Sequence, residues 1–143
     1  MKKKIAFILI FFMIFTFSVS ATPAKVFLED LIGTWVVSPE YNEGRSYIDF
    51  TEYWVFTKVS ETIGYIEIYN EKGKLILNPT WERWGNMNDF KVTYDEGWIL
   101  WTVTPKRFEP KNFYFNNYYD ADFAMILHKI DSSTDRPDVN EDF

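Results

Sequence analysis

The sequence predicts an all-β domain, a small antiparallel up-and-down barrel of about eight strands preceded by a short helical turn. Three observations carry that expectation. Asp, Asn, Gly and Pro punctuate the chain roughly every 8–12 residues after Leu31, the spacing of short strands joined by tight turns. Several runs between those breaks alternate apolar and polar side chains, as strands with one buried and one wet face do. The rings are abundant, with 6 Trp, 9 Tyr and 14 Phe, and large rings suit a pleated, half-buried surface.

The elements follow in order. The chain opens on Met1-Lys2-Lys3-Lys4, an apolar run from Ile5 to Val19 interrupted by Thr16 and Ser18, and the small residues of Val19-Ser20-Ala21. A basic start, a short apolar stretch and a small-residue exit read as a secretory signal. Residues 1–21 are therefore expected to be cut away after Ala21, leaving a secreted or periplasmic protein. As a retained anchor the run is shorter than the roughly 20 apolar residues a bilayer requires. No stable membrane insertion is expected after cleavage.

Pro23–Leu31 is the one helical candidate, with Phe27, Leu28, Leu31 and Ile32 at helical spacing. Its length makes it dependent on packing against something else. Leu31–Ser38 is the expected first strand, followed by a polar loop from Pro39 to Gly44. Arg45–Phe50 and Glu52–Val59 read as the next runs, or as one bent strand. Ile63–Tyr69 and Lys74–Leu77 flank the turn Asn70-Glu71-Lys72-Gly73, and Asn78-Pro79-Thr80 breaks the pattern. Asp89–Tyr94 and Trp98–Thr104 flank Asp95-Glu96-Gly97, a hairpin signal. Lys111–Tyr118 and Asp122–Ile130 close the series. Residues 22–131 then form one domain, and the polar, acidic stretch 132–143 reads as a disordered tail. Closure into a barrel removes two exposed sheet edges; two packed sheets are the competing arrangement.

Charge and cysteine content narrow the function. Removing residues 1–21 takes three lysines, so Lys+Arg falls from 15 to 12 against 21 Asp+Glu, a formal charge of −9. Such a domain is repelled by phosphate backbones, and nucleic acid is set aside as a partner. With no cysteine in the chain, stability must come from a packed core, and about 120 residues support one such core.

Catalytic and metal chemistry find little support. His128 is the only histidine and has neither a cysteine nor a second histidine to share a metal. Asp120 and Asp122 are read as an acidic loop. Nucleotide-binding glycine motifs and nucleophile turns do not occur. No enzyme activity, catalytic residue, metal or cofactor is expected. Lys106-Arg107-Phe108-Glu109-Pro110-Lys111 is a local basic cluster, read as a soluble loop in preference to an anion-steering patch.

The segment Leu31-Ile32-Gly33-Thr34-Trp35-Val36-Val37, after a short apolar lead-in, resembles the start of a lipocalin-type barrel of the calycin group, with its G-x-W on the first strand. The likeness covers residues 26–131 and points to the compact lipocalin-like domains of secreted bacterial proteins. It implies that Gly33 lets the strand bend and the preceding segment approach closely, that Trp35 plugs the barrel floor, and that Lys129 lies over that indole. Asp120-Ala121-Asp122 and the apolar run after it are similar to the acidic turn and strand that many lipocalins carry near the end of the barrel. No further apolar strand follows here.

The resemblance implies a small apolar or amphipathic ligand bound inside the barrel, without covalent chemistry. From the alternation, Phe90, Val92 and Tyr94 face inward, with one face of Trp98–Thr104 and with Phe113 and Phe115. The candidate ligand-binding residues are therefore Phe90, Tyr94, Trp98, Trp101, Phe113 and Phe115. A barrel of this size can also be filled by its own side chains. The alternative is a secreted β-domain acting through exposed rings as a protein-interaction, inhibitor or carbohydrate-binding module. Trp81 and Trp84 are its candidate surface contacts.

Overall fold

A computed structural model describes residues 28–84, 88–120 and 122–134. The expected export signal and the tail from residue 135 onward lie outside the described residues. So does the start of the helical lead-in, of which α1 (Leu28–Leu31) is described.

Nine strands follow: β1 (Gly33–Val37), β2 (Glu52–Lys58), β3 (Ile63–Asn70), β4 (Leu75–Leu77), β5 (Thr80–Trp84), β6 (Asp89–Tyr94), β7 (Gly97–Lys106), β8 (Glu109–Asn117) and β9 (Ala124–Asp131). Eight of them close into a ring. Sequential antiparallel pairing runs from β1 through β2, β3, β5, β6, β7 and β8 to β9, and β9 returns to β1. The fold is thus a closed up-and-down antiparallel barrel, and the two-sheet arrangement is excluded. The ninth strand, β4, pairs with β3 alone among the described residues. It is the first half of a strand that Asn78-Pro79 interrupts before β5. The Ile66 N–H donates to the Pro79 carbonyl (2.8 Å) and bridges that interruption.

The register sets which side chains point inward. Trp35 lies opposite Trp54, Trp54 opposite Ile68, Phe90 opposite Trp101, Val103 opposite Phe115, and Phe115 opposite Met125. Together with Phe56, Ile66, Trp81, Val92, Phe113 and Leu127 they form one buried cluster. Its rings meet at tilted or edge-on angles, as between Trp35 and Phe113 (4.9 Å), Phe56 and Phe115 (5.9 Å), and Trp101 and Phe115 (6.2 Å). Such pairs each add about 0.5–1.5 kcal/mol beyond the area they bury.

One end of the ring is sealed. Trp35 is fully buried, and its Nε1 donates to the Leu31 carbonyl at the end of α1 (2.8 Å). The Lys129 ammonium lies 5.5 Å from the Trp35 ring centre and donates to the Asp30 carbonyl (2.8 Å). Gly33 has φ +137°, and a Cβ there would lie 2.5 Å from the Asp131 carbonyl oxygen. The glycine before the tryptophan is what lets β1 and the end of β9 close on each other. The Thr34 hydroxyl continues that seam by donating to the Ser133 carbonyl (2.9 Å), so the chain stays on the barrel past residue 131.

Two expectations are corrected. Arg45–Phe50 is not a strand. The chain from Ser38 to Thr51 makes a 3₁₀ turn at Pro39–Tyr41 and then turns and bends. Turn hydrogen bonds such as Arg45 N–H to Asn42 O and Ile48 N–H to Arg45 O shape this loop, and side chains tie it to β9. The Asn42 amide donates to the Ser38 and Ile126 carbonyls and accepts from the Ile126 N–H, replacing a strand neighbour for β9. The Tyr47 hydroxyl donates to the Ala124 carbonyl, and Ile48 is buried in the core cluster. Conversely, Thr80–Trp84, not expected as a strand, is β5 and joins β3 to β6.

Candidate ligand-binding site at the open end

The end opposite Trp35 carries the loop 38–51, the β3–β4 turn, the Asp95–Glu96 turn and the β8–β9 connection. Here the Asn78-Pro79 break has a geometric consequence. β5 pairs with β6 only as far as Thr80 opposite Thr93. Beyond that point Tyr94 faces the Asp95–Glu96 hairpin, paired with Gly97, while β4 leans on β3. The gap is a recess of about 430 Å³ lined by Leu77, Tyr94, Asp95, Glu96, Gly97, Trp98 and Ile99. A second hollow, of about 470 Å³, lies outside the barrel between the Glu40–Arg45 loop and side chains of β7 and β8. Charged and polar groups dominate it, among them Glu40, Arg45, Lys106, Glu109 and Asn112.

The candidate residues sort by depth. Phe90, Trp101, Phe113 and Phe115 are all buried, at 5% exposure or less. Tyr94 is half-buried and lines the recess. Trp98 does not point into the barrel: it stands on the outer face, 47% exposed, and reaches the recess only at its rim. The face of β7 that turns inward is that of Ile99, Trp101 and Val103.

Trp81 is corrected outright as a surface contact. It is 1% exposed, its Nε1 donates to the Thr57 carbonyl (3.0 Å), and it packs against Gly64, where an added Cβ would stand 2.5 Å from the indole and 2.0 Å from the Thr57 oxygen. Trp84 is exposed, as expected of a contact residue.

Two residues missed by the sequence reading complete the open end. Glu52 begins β2 on the same face as Trp54 and Phe56. The Trp54 Nε1 donates to its carboxylate (3.0 Å), yet burial holds the Glu52 pKa above the ordinary carboxylate value despite that bond. Its signal in the sequence was a break in alternation: a carboxylate two residues before Trp54 on an otherwise apolar face. Leu77 is the other, an exposed end of β4 at the recess wall. Burial pushes the Tyr94 hydroxyl up to about 12, with the neighbouring Trp101 indole N–H opposing and the Glu52 carboxylate adding to the effect. Trp101 Nε1 itself is buried and has no hydrogen-bond partner of normal geometry among the described residues.

The remaining candidates are structural in their surroundings. His128 stacks on Tyr41 (4.2 Å, 4° between planes), its Nδ1 lies 2.6 Å from Asn112 Oδ1, and burial lowers its pKa. Lys106 pairs with Glu109 (2.7 Å), and both line the polar hollow beside the Glu40–Arg45 loop. Asp120 and Asp122 lie in the connection that leads into β9, and that last strand completes the eight. Among the described residues, no helix is long and apolar enough to cross a membrane.

Compared with known proteins, the chain matches no protein-family model, no curated protein and no solved structure.

Proposed function

We propose that the protein is an exported, lipocalin-like carrier that binds a small apolar or amphipathic molecule at the open end of its barrel. The observation that carries this reading is the asymmetry of the tube. One end is stoppered by Trp35 and α1, and the other presents a recess with Leu77, Tyr94, Trp98 and Ile99 on its walls. Below the recess the interior is packed with rings, so the ligand sits near the mouth and not along the whole axis. Apolar contact in such a recess yields about 25 cal/mol per Å² removed from water, and a few polar groups set the orientation.

The test is uptake of a fluorescent lipophilic probe with an uncharged head, followed by quenching of tryptophan emission. Saturable one-to-one uptake is expected, weakened at least tenfold by Leu77→Asp, an exposed position whose change leaves the fold intact. If a panel of such probes shows no saturable uptake, the carrier reading is lost. The export half is checked by the N-terminal mass of the protein recovered outside the cytoplasm. A chain beginning at Thr22 is expected, and one retaining Met1 would overturn it.

A second reading is favoured by one further observation. On the outer face the Lys91 ammonium lies 5.8 Å from the Trp84 ring and 5.1 Å from that of Trp98, and Trp98 meets Tyr119 edge-on (5.8 Å). This exposed ridge of rings suits contact with a protein or a sugar chain. Trp84→Ala would abolish binding to a glycan array or a partner if the ridge is used, and would leave probe uptake unchanged.

A further inference from the structure

The open end contains a hydrogen-bond donor with nothing to receive its hydrogen. Trp101 is 2% exposed, and its Nε1 has no partner. Leaving such a group unmet inside a protein is costly, and buried donors are nearly always satisfied by protein, water or ligand. The Trp101 ring meets Phe123 of the β8–β9 connection at 5.8 Å. Tyr94, which walls the recess, is its polar neighbour. The charged residues lining the recess share one sign, and the Lys91 ammonium stands on the outer face, 5.1 Å from the Trp98 ring at the rim. Asp95 and Glu96 edge the recess, Glu52 lies on the inner face of β2, and the residues lining the recess include no lysine or arginine. The inward cation identified above, Lys129, is engaged with Trp35 and Asp30 at the sealed end.

On the basis of the carrier reading, we propose that the ligand is a chain-bearing molecule with an uncharged oxygen head, an alcohol or amide, whose oxygen accepts the Trp101 Nε1 hydrogen beside the Tyr94 hydroxyl. A carboxylate head would bring a second negative charge beside Glu52 with no cation among the residues lining the recess to offset it. An ammonium head has no lone pair to receive the indole hydrogen. An alcohol or amide oxygen meets the orphan donor without either conflict. It can also accept from the tyrosine.

The experiment follows the indole N–H resonance of Trp101 by nuclear magnetic resonance, assigned through its disappearance in Trp101→Phe. The full-length mature protein is titrated separately with 1-octanol, octanamide, octanoate and octylamine. A saturable downfield shift is expected with the alcohol and the amide, with octanoate and octylamine at least tenfold weaker. Glu52→Gln, which keeps an acceptor for Trp54 Nε1, should raise octanoate affinity several-fold and leave octanol unchanged. Trp101→Phe should lose the preference for the alcohol. Where that variant fails to fold, the Glu52→Gln arm decides alone.

Saturable binding of all four compounds with equal affinity would overturn the head-group inference and leave the carrier reading standing. Binding of the alcohol with the Trp101 resonance unmoved would overturn it as well, the donor then being met by an ordered water only. Failure of every octyl compound to bind would defeat both readings together.

Discussion

The two ends of this barrel are built from the same materials and treated in opposite ways. At the sealed end an indole N–H is met by a backbone carbonyl, a lysine lies over the ring, and a glycine lets two strands close. At the open end an indole N–H is left unmet, a carboxylate sits against tryptophan, and the strand pairing is interrupted by proline. At the first end the Trp35 indole N–H, the Thr34 hydroxyl and the Lys129 ammonium each donate to a backbone carbonyl. The second end retains a buried indole N–H without a partner among the described residues, a departure from full satisfaction of the kind that functional sites show.

That contrast can be broken most forcefully at Trp35. Trp35→Ala removes the stopper and leaves a large void, and is expected to cost about 3–5 kcal/mol in urea unfolding; a cost below about 1 kcal/mol would show that the sealed end does not hold the barrel together. Gly64→Ala comes next. Its Cβ would collide with the Thr57 carbonyl oxygen and the Trp81 ring, and overpacking of this kind costs about 1–3 kcal/mol. Lys129→Met keeps the length of the side chain and removes its charge. The loss of the cation over Trp35 should cost about 0.5–2 kcal/mol, with ligand uptake unaffected.

Glu52→Gln carries the smallest effect on stability and the opposite sign. The folded state holds the Glu52 proton more tightly than the unfolded chain does. Between the two pKa values it therefore binds more protons, and stability falls as pH rises through that window. The glutamine variant escapes this loss. It should be slightly more stable than the parent at neutral pH and equal to it below the ordinary carboxylate pKa. Equal stability at all pH values would place the Glu52 carboxylate in water.

Much of the barrel was legible along the chain, and the reason is alternation. Asp89–Tyr94 appears as a strand with the expected bounds, and Phe90, Val92 and Tyr94 face inward as read. Ile63–Asn70 alternates too, with Ile66 and Ile68 on the buried face. The misses share one cause, a partner distant in sequence. The polar Glu82-Arg83 obscures Thr80–Trp84 as a strand, and Trp81 turns inward because Gly64, seventeen residues earlier, leaves room for it. Arg45–Phe50 has the composition of a strand but spends its hydrogen-bonding groups on turns, while Asn42 and Tyr47 bond the edge of β9. The recess was the least legible feature. It arises where two strand halves separate, and periodicity does not report separation. Trp98 and Trp101, three residues apart, could not both face inward; strand geometry sends the first to the rim and the second beneath it.

The three residues of β4 hang on the ring by a single neighbour. Peeling them from β3 breaks a handful of hydrogen bonds and leaves the eight-stranded circuit whole, so this segment can breathe while the rest of the molecule stays folded. Amide protons of Leu75, Ile76 and Leu77 should exchange with heavy water well before those of β8 and β9. The mouth can therefore widen without any cooperative unfolding of the tube.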